Sequence, residues 1–183
     1  MVAELLQGMS VFLVGMMGCG KSTVGETLAR QWGYRFLDTD SLIEQVGHTT
    51  IADIFAREGE AAFRDLESQV LEQVCAYTRC AIATGGGIVI RPRNWSYLQN
   101  GLVIWLDAPV PLLVQRLQGD TTRPLLDSEN LSARLAQLLE QRHSFYSQAD
   151  LKITLEPEQT PEQIVQAIRE QIPSVLKTVH SKS

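Results

Sequence analysis

At 183 residues and 20.4 kDa the chain is short enough for a single hydrophobic core. Its 44% apolar and 20% charged residues are the proportions of a soluble globular protein and exclude a fibrous, disordered or membrane-embedded chain. A net charge of −5, with no run of Lys or Arg, lacks the positive field that nucleic acid binding requires.

Met9 to Val14 is a continuous apolar run ending at Gly15, and it predicts a strand buried on both faces. Val24 and Leu28 recur at helical spacing within Lys21 to Trp32, and Gly33 supplies the stop. Tyr34 to Leu37 predicts a second strand, ending at Asp38-Thr39-Asp40. A long helical pattern covers Ile51 to Val74, with a break expected near Gly59. Cys80 to Thr84 predicts a third strand that runs into Gly85-Gly86-Gly87. Leu102 to Leu106 and Leu151 to Leu155 predict the fourth and fifth strands, each followed by a proline and a helical pattern, Pro109 to Leu117 and Pro161 to Ile172. From Pro173 to Ser183 no pattern continues, so a single domain over residues 1–172 with a flexible tail over 173–183 is expected. The alternation of strand and helix predicts an α/β three-layer sandwich with a central, mainly parallel five-stranded sheet and helices on both faces. Ligands of such a sheet lie beyond the carboxyl ends of its strands, where the unusual residues of this chain also fall.

Three cysteines, Cys19, Cys75 and Cys80, form no C-x-x-C pair, which fits neither a disulfide framework nor a zinc site and points to a reducing compartment. Residues 1–10 carry neither a signal nor a transit pattern, and no apolar stretch approaches the roughly 20 residues that span a bilayer. A cytoplasmic monomer with neither nucleic acid nor membrane as partner is expected, or a plastid protein if a transit peptide has been removed. His48, His143 and His180 are not spaced as ligands and read as surface residues; Trp32, Trp95 and Trp105 read as packing residues.

The decisive motif is Gly15-Met16-Met17-Gly18-Cys19-Gly20-Lys21-Ser22, which matches G-x4-G-K-S/T directly after a strand and at the start of a helix. In that context successive backbone amides and the helix N-terminus cradle phosphates, Lys21 reaches the β and γ phosphates, and Ser22 offers a hydroxyl to Mg²⁺. Gly15, Gly18, Cys19, Gly20, Lys21, Ser22 and Thr23 are therefore the candidate ATP-binding residues. Cys19, beside Lys21, is further expected to be open to alkylation, with loss of activity and protection by ATP. Kinases, switches, motors and transporters share this loop. The short chain and the lack of an N-K-x-D guanine signature favour the small-metabolite and nucleoside kinases, whose chemistry is mostly positioning and charge neutralisation.

With the P-loop, four further segments resemble the shikimate kinase family over about Met9 to Ile172. Leu37-Asp38-Thr39-Asp40 is similar to the family's acidic pair, which implies Asp38 as a ligand of one Mg²⁺ and Asp40 as the base at the acceptor hydroxyl. Residues two apart at a strand end project from the same side, which suits that division of labour, but an Asx turn with Asp40 capping a helix explains the same letters. Gly59-Glu60-Ala61-Ala62-Phe63-Arg64-Asp65-Leu66-Glu67 resembles the family's G-E-x-x-F-R-x-x-E, which implies that Arg64 holds the shikimate carboxylate. Pairing of Arg64 with Glu60 and Glu67 along an exposed helix is the alternative. The run Gly85-Gly86-Gly87 is similar to the family's glycine segment, implying that Gly86 and Gly87 bring backbone amides to the acceptor; a bulge or tight turn is the other reading.

Thr122-Arg123-Pro124-Leu125-Leu126 resembles the family's mobile lid, over about residues 119–130, with Arg123 as a catalytic and ATP-binding residue, or else an ordinary loop arginine. Arg142 and Tyr146 match an R-x-x-x-Y helix, whose arginine is a second contact to the acceptor carboxylate. Arg116 matches a position that stacks on adenine, though interaction with its own helix end explains it as well. Other adenine contacts of the family fall near Pro157 to Thr160, where no motif aligns. The resemblance thus implies ATP and shikimate as substrates, one Mg²⁺ bound with ATP, phosphorylation of the shikimate 3-hydroxyl, and a place in aromatic amino acid biosynthesis. Rival readings are a gluconate or nucleoside monophosphate kinase, and a binding paralogue without catalysis.

Overall fold

In the computed structural model, which describes residues 2–118 and 130–180, a short helix α1 (Val2–Leu5) precedes strand β1 (Val11–Val14). Helix α2 (Lys21–Trp32) follows, then β2 (Arg35–Asp38), α3 (Thr39–Gly47) and α4 (Ile51–Val74). Strand β3 (Cys80–Ala83), a 3₁₀ turn (Ile88–Ile90) and α5 (Pro92–Leu98) come next. The chain continues through β4 (Leu102–Asp107), α6 (Val110–Leu117), α7 (Leu131–Tyr146), β5 (Leu151–Thr154) and α8 (Pro161–His180).

The five strands form one parallel sheet in the order β2-β3-β1-β4-β5. The residues of β1 and β3 are buried throughout, β4 is buried up to Asp107, and edge strand β5 alternates buried and exposed positions. Continuous apolar runs at the centre and alternation at the edge follow from cover on both faces of the middle strands. From β1 the chain crosses to β2 in one direction, whereas β2 to β3, β3 to β4 and β4 to β5 all cross in the other. Because such crossovers are right-handed, α2 lies on one face, joined by α8, and the helices between β2 and β5 lie on the opposite face.

Sheet register determines where the site forms. Asp38 pairs with Ala83, and Ala83 with Leu13, so three chains leave the sheet side by side. Thr84 donates its hydroxyl to the Leu13 carbonyl at 2.9 Å, which ties the start of the glycine run to the start of the P-loop. The N-terminal half of α4 bends at Gly59, whose φ of 84° and ψ of 173° are not helical, as its place in the pattern suggested.

Two differences from the sequence reading have clear causes. The segment from Pro173, expected to be frayed, is helical to His180, because Val175 and Leu176 extend the apolar stripe of α8 past Ile172 and pack on the core. Pro173 costs that helix one backbone hydrogen bond without ending it. Helix α5 went unread because its seven residues are too few for a periodic signal. Among the described residues no helix is long and apolar enough to cross a membrane.

Gly101 gives a test of the packing. A Cβ built there meets the Ser10 carbonyl oxygen at 2.5 Å and the Phe12 ring at 2.7 Å, and backbone cannot yield as a side chain does. Gly101→Ala is therefore expected to destabilise the fold by about 1–3 kcal/mol in urea titration, without a change of slope.

Candidate active site

At the end of β1 the chain turns into α2, and Lys21 Nζ donates to the carbonyls of Gly15 and Met16, both at 2.9 Å. The lysine is thereby folded back over its own loop, at the mouth of a cavity of about 360 Å³. Gly18, Cys19, Gly20, Lys21, Ser22 and Thr23 line this cavity, with Asp38 and Asp40 on one side and Arg116, Gln159, Pro161 and Ile164 on another. Gly15 contributes its carbonyl bond to Lys21 but does not line the cavity. Arg116 lies in the last turn of α6, and its side chain reaches across to the P-loop. Its Nη1 donates to the carbonyls of Cys19 at 3.0 Å and Gly18 at 3.3 Å, bracing the P-loop from α6.

A second cavity, of about 320 Å³, adjoins the first, and Met17, Ser22, Asp38, Asp40 and Gly86 line both. Arg64, Glu67, Gly85, Gly87 and Arg142 form its polar side; Ile51, Phe55 and Phe63 form an apolar wall. Phe55 and Phe63 pack with ring centroids 4.8 Å apart across the bend at Gly59. No pattern in the sequence marks this wall, since apolar residues at helical spacing on α4 read equally as core.

Asp38, not Asp40, caps α3. Its Oδ1 accepts from the backbone N–H groups of Asp40 at 3.0 Å and Ser41 at 3.2 Å, while Oδ2 accepts the Ser22 hydroxyl at 2.5 Å. Asp40 lies in the first turn of α3, so the two carboxylates meet through a cap and not through strand alternation. Thr39, between them, is fully buried and its Oγ1 accepts the Gly85 N–H at 3.1 Å.

Arg64 is 7% exposed, and both carboxylates suspected of pairing with it do so: Nη1 bonds Glu67 Oε2 at 2.8 Å and Nη2 bonds Glu60 Oε1 at 3.3 Å. The exposed-pair alternative fails for Glu67, which is completely buried. Burial pushes the Glu67 carboxyl above its ordinary range, against the pull of Arg64. The pair therefore fixes the guanidinium in the cavity, directly against Gly87, where a Cβ would collide with it. Glu67, read from the sequence only as an exposed helix partner of Arg64, is instead the buried group that holds the guanidinium in place. Arg142, on α7 and 3% exposed, brings a second guanidinium to the same cavity; its Nη1 is buried without a hydrogen-bond partner among the described residues.

Gly86 separates the two cavities. A Cβ on it would stand 3.3 Å from the Met17 amide nitrogen and 3.4 Å from the Gly15 carbonyl oxygen, so the glycine run and P-loop touch backbone to backbone. Arg123 and residues 119–129 of the expected lid lie outside the described residues; Asn130 caps α7 through its side chain.

A family model described as shikimate kinase matches residues 17–173. The chain belongs to the shikimate kinase family. A shikimate kinase of Nostoc sp. is 55% identical over 98% of this chain and 99% of its own length. That of Synechococcus elongatus is 58% identical over 94% of this chain and 90% of its own. Among solved structures, a shikimate kinase from Acinetobacter baumannii in complex with shikimate superposes with a TM-score of 0.87 at 38% identity, covering 93% of this chain and 96% of that one. A gluconokinase from Sinorhizobium meliloti, at 17% identity and a TM-score of 0.55, shares the fold alone. With family membership established, the gluconate and nucleoside monophosphate readings no longer stand.

One expectation for this shikimate kinase family member is overturned. The Cys19 thiol is 0% exposed and lies 3.7 Å from Lys21 Nζ, so it is closed to reagents. Cys80 is likewise buried, and burial pushes the Cys75 thiol up to about 11. Titration with a chromogenic disulfide at about pH 8, near the ordinary thiol range, is expected to find no fast-reacting thiol in the native protein and all three after unfolding. Rapid ATP-protected labelling of Cys19 is the contrary result.

Proposed function

We propose that the two adjoining cavities carry out transfer of the γ-phosphoryl group of ATP to the 3-hydroxyl of shikimate, giving shikimate 3-phosphate and ADP. The observation that carries the reading is a cavity with two buried guanidiniums, Arg64 and Arg142, on its polar side and Asp40 at its junction with the P-loop cavity. Shikimate is a small carboxylate with a ring and several hydroxyls. Its carboxylate suits the paired arginines, its ring the Phe55–Phe63 wall, and its hydroxyls the Asp40 side.

In this reading ATP lies along the P-loop amides with its base between Arg116 and the Gln159–Pro161 segment. Lys21 leaves its loop carbonyls for the phosphates. Asp40 accepts the proton of the 3-hydroxyl as that oxygen bonds to the γ-phosphorus and the bond to the ADP oxygen breaks. Arg123 adds positive charge over the phosphates, as the family's lid arginine does. The Ser22 hydroxyl and Asp38 carboxylate are hard oxygen donors beside the P-loop and fit one Mg²⁺ completed by phosphate and water oxygens. That ion, when bound, offsets charge building on the phosphates. Gly86 and Gly87 leave the space between donor and acceptor free of side chains, and Met17 with the apolar wall lines it. One chain supplies every group named, which supports action as a monomer, and free cysteines support the cytoplasm.

The test is ADP release measured with MgATP and shikimate, gluconate, AMP or no acceptor. Stimulation by shikimate alone is expected; equal rates with and without it contradict the proposal. Asp40→Asn is expected to lower kcat by about 10²–10⁴-fold with ATP affinity retained. Arg64→Lys keeps a charge opposite Glu67 but loses the planar fork, and should raise the KM for shikimate about ten- to hundredfold with kcat less affected.

A further inference from the structure

The glycine run between the two cavities has no side chains with which to hold itself in place. Three successive glycines have more backbone freedom to lose than any other tripeptide, yet Gly86 must stay within contact of Met17 and Gly15, and Gly87 against Arg64. The Ile88 and Ile90 N–H groups donate to the Gly85 and Gly87 carbonyls at 3.2 and 3.1 Å and turn the run locally, and two buried side-chain hydroxyls tie it to neighbouring elements. On one side the Gly85 N–H donates to Thr39 Oγ1 at 3.1 Å. On the other, Tyr146 Oη donates to the Gly86 carbonyl at 2.6 Å. Each hydroxyl belongs to a fully buried residue, and each grips a different peptide of the run.

Tyr146 is rooted on two sides. Its ring stacks on Trp105 of β4 with centroids 5.7 Å apart and planes at 24°. It lies one helical turn beyond Arg142 on α7, on the same face, and the Arg142 guanidinium acts on its hydroxyl. Burial pushes the phenol far above its usual range, so it remains a donor at every working pH and takes no part as a base. Because a peptide is planar, fixing the Gly86 carbonyl also fixes the orientation of the Gly87 N–H. Thr39, for its part, stands between Asp38 and Asp40, so the strap on Gly85 starts from the residues that serve metal and base.

We propose that Thr39 and Tyr146 are positioning residues that strap the glycine run between the nucleotide and acceptor cavities, holding the acceptor wall in register with Arg64, Arg142 and Asp40. The inference rests on the acceptor reading above. It gives the strap a signature that a merely structural role lacks: loosening the wall weakens the acceptor side and spares ATP, whose phosphates are held by the P-loop.

The experiment compares Tyr146→Phe, Thr39→Val and Thr39→Ser with the unaltered full chain, measuring kcat and both KM values by ADP release and ATP affinity by equilibrium titration. Tyr146→Phe keeps the ring and its stacking on Trp105, and Thr39→Ser keeps the gripping hydroxyl. Tyr146→Phe and Thr39→Val are expected to raise the KM for shikimate about tenfold, the worth of one hydrogen bond of about 1.4 kcal/mol. ATP affinity should stay within about twofold, and Thr39→Ser should restore the unaltered value. Should either disruptive variant fail to fold, the other decides by the same comparison. Unchanged KM for shikimate, or equal loss on the ATP and shikimate sides, overturns the strap while leaving the proposed reaction standing. An unaltered chain without shikimate-dependent turnover overturns both.

Discussion

The carboxylate of Asp38 joins three elements that would otherwise end independently. One oxygen caps α3 through the N–H groups of Asp40 and Ser41, and the other accepts the hydroxyl of Ser22 at the start of α2. A single side chain thus couples the end of β2 to the P-loop helix on one side and to the helix carrying Asp40 on the other. Cap hydrogen bonds of this type contribute about 1 kcal/mol, but their larger effect here is directional. The angle at which α3 leaves the sheet determines where Asp40 meets the two cavities. Parallel register does the rest, because Asp38, Ala83 and Leu13 lie in one row and their chains emerge side by side.

From this junction the charges divide by function. On the nucleotide side the cations Lys21 and Arg116 are both bonded to P-loop carbonyls. On the acceptor side Arg64 is held by Glu67, whereas Arg142 keeps a buried N–H without a partner among the described residues. A buried cation of this kind is costly in isolation, and in the proposed reaction a carboxylate substrate would supply what it lacks. Under the proposed reaction, one braced and one incompletely paired guanidinium at the same site would fix where the carboxylate goes while leaving binding energy to be gained there.

The sheet, α2 and the bend at Gly59 were legible because each follows from local rules: apolar runs of strand length, a glycine stop, a non-helical glycine inside a helical pattern. The P-loop was legible for the same reason, its spacing and context being one contiguous signal. What was not legible depended on contacts distant in the sequence. Asp38 was read as a strand-end carboxylate because the cap it forms requires knowing that α3 begins at Thr39. Cys19 was read as accessible because nothing in the letters shows which way the loop turns its side chain. Ile51, Phe55 and the cavity-lining residues Gln159, Pro161 and Ile164 carry no pattern that separates them from ordinary helix or loop residues. Arg64 with Glu67 is an instructive middle case: the ion pair taken as the bland alternative is present, and it is what aims the arginine.

The most direct measurement is a crystal structure of the protein with a non-hydrolysable ATP analogue, Mg²⁺ and shikimate. The account predicts the shikimate carboxylate between Arg64 and Arg142, its 3-hydroxyl within about 3 Å of the Asp40 carboxylate, and the γ-phosphate on the far side of that hydroxyl, across Gly86 and Met17. A carboxylate bound away from both arginines, or a 3-hydroxyl facing away from Asp40, would contradict it.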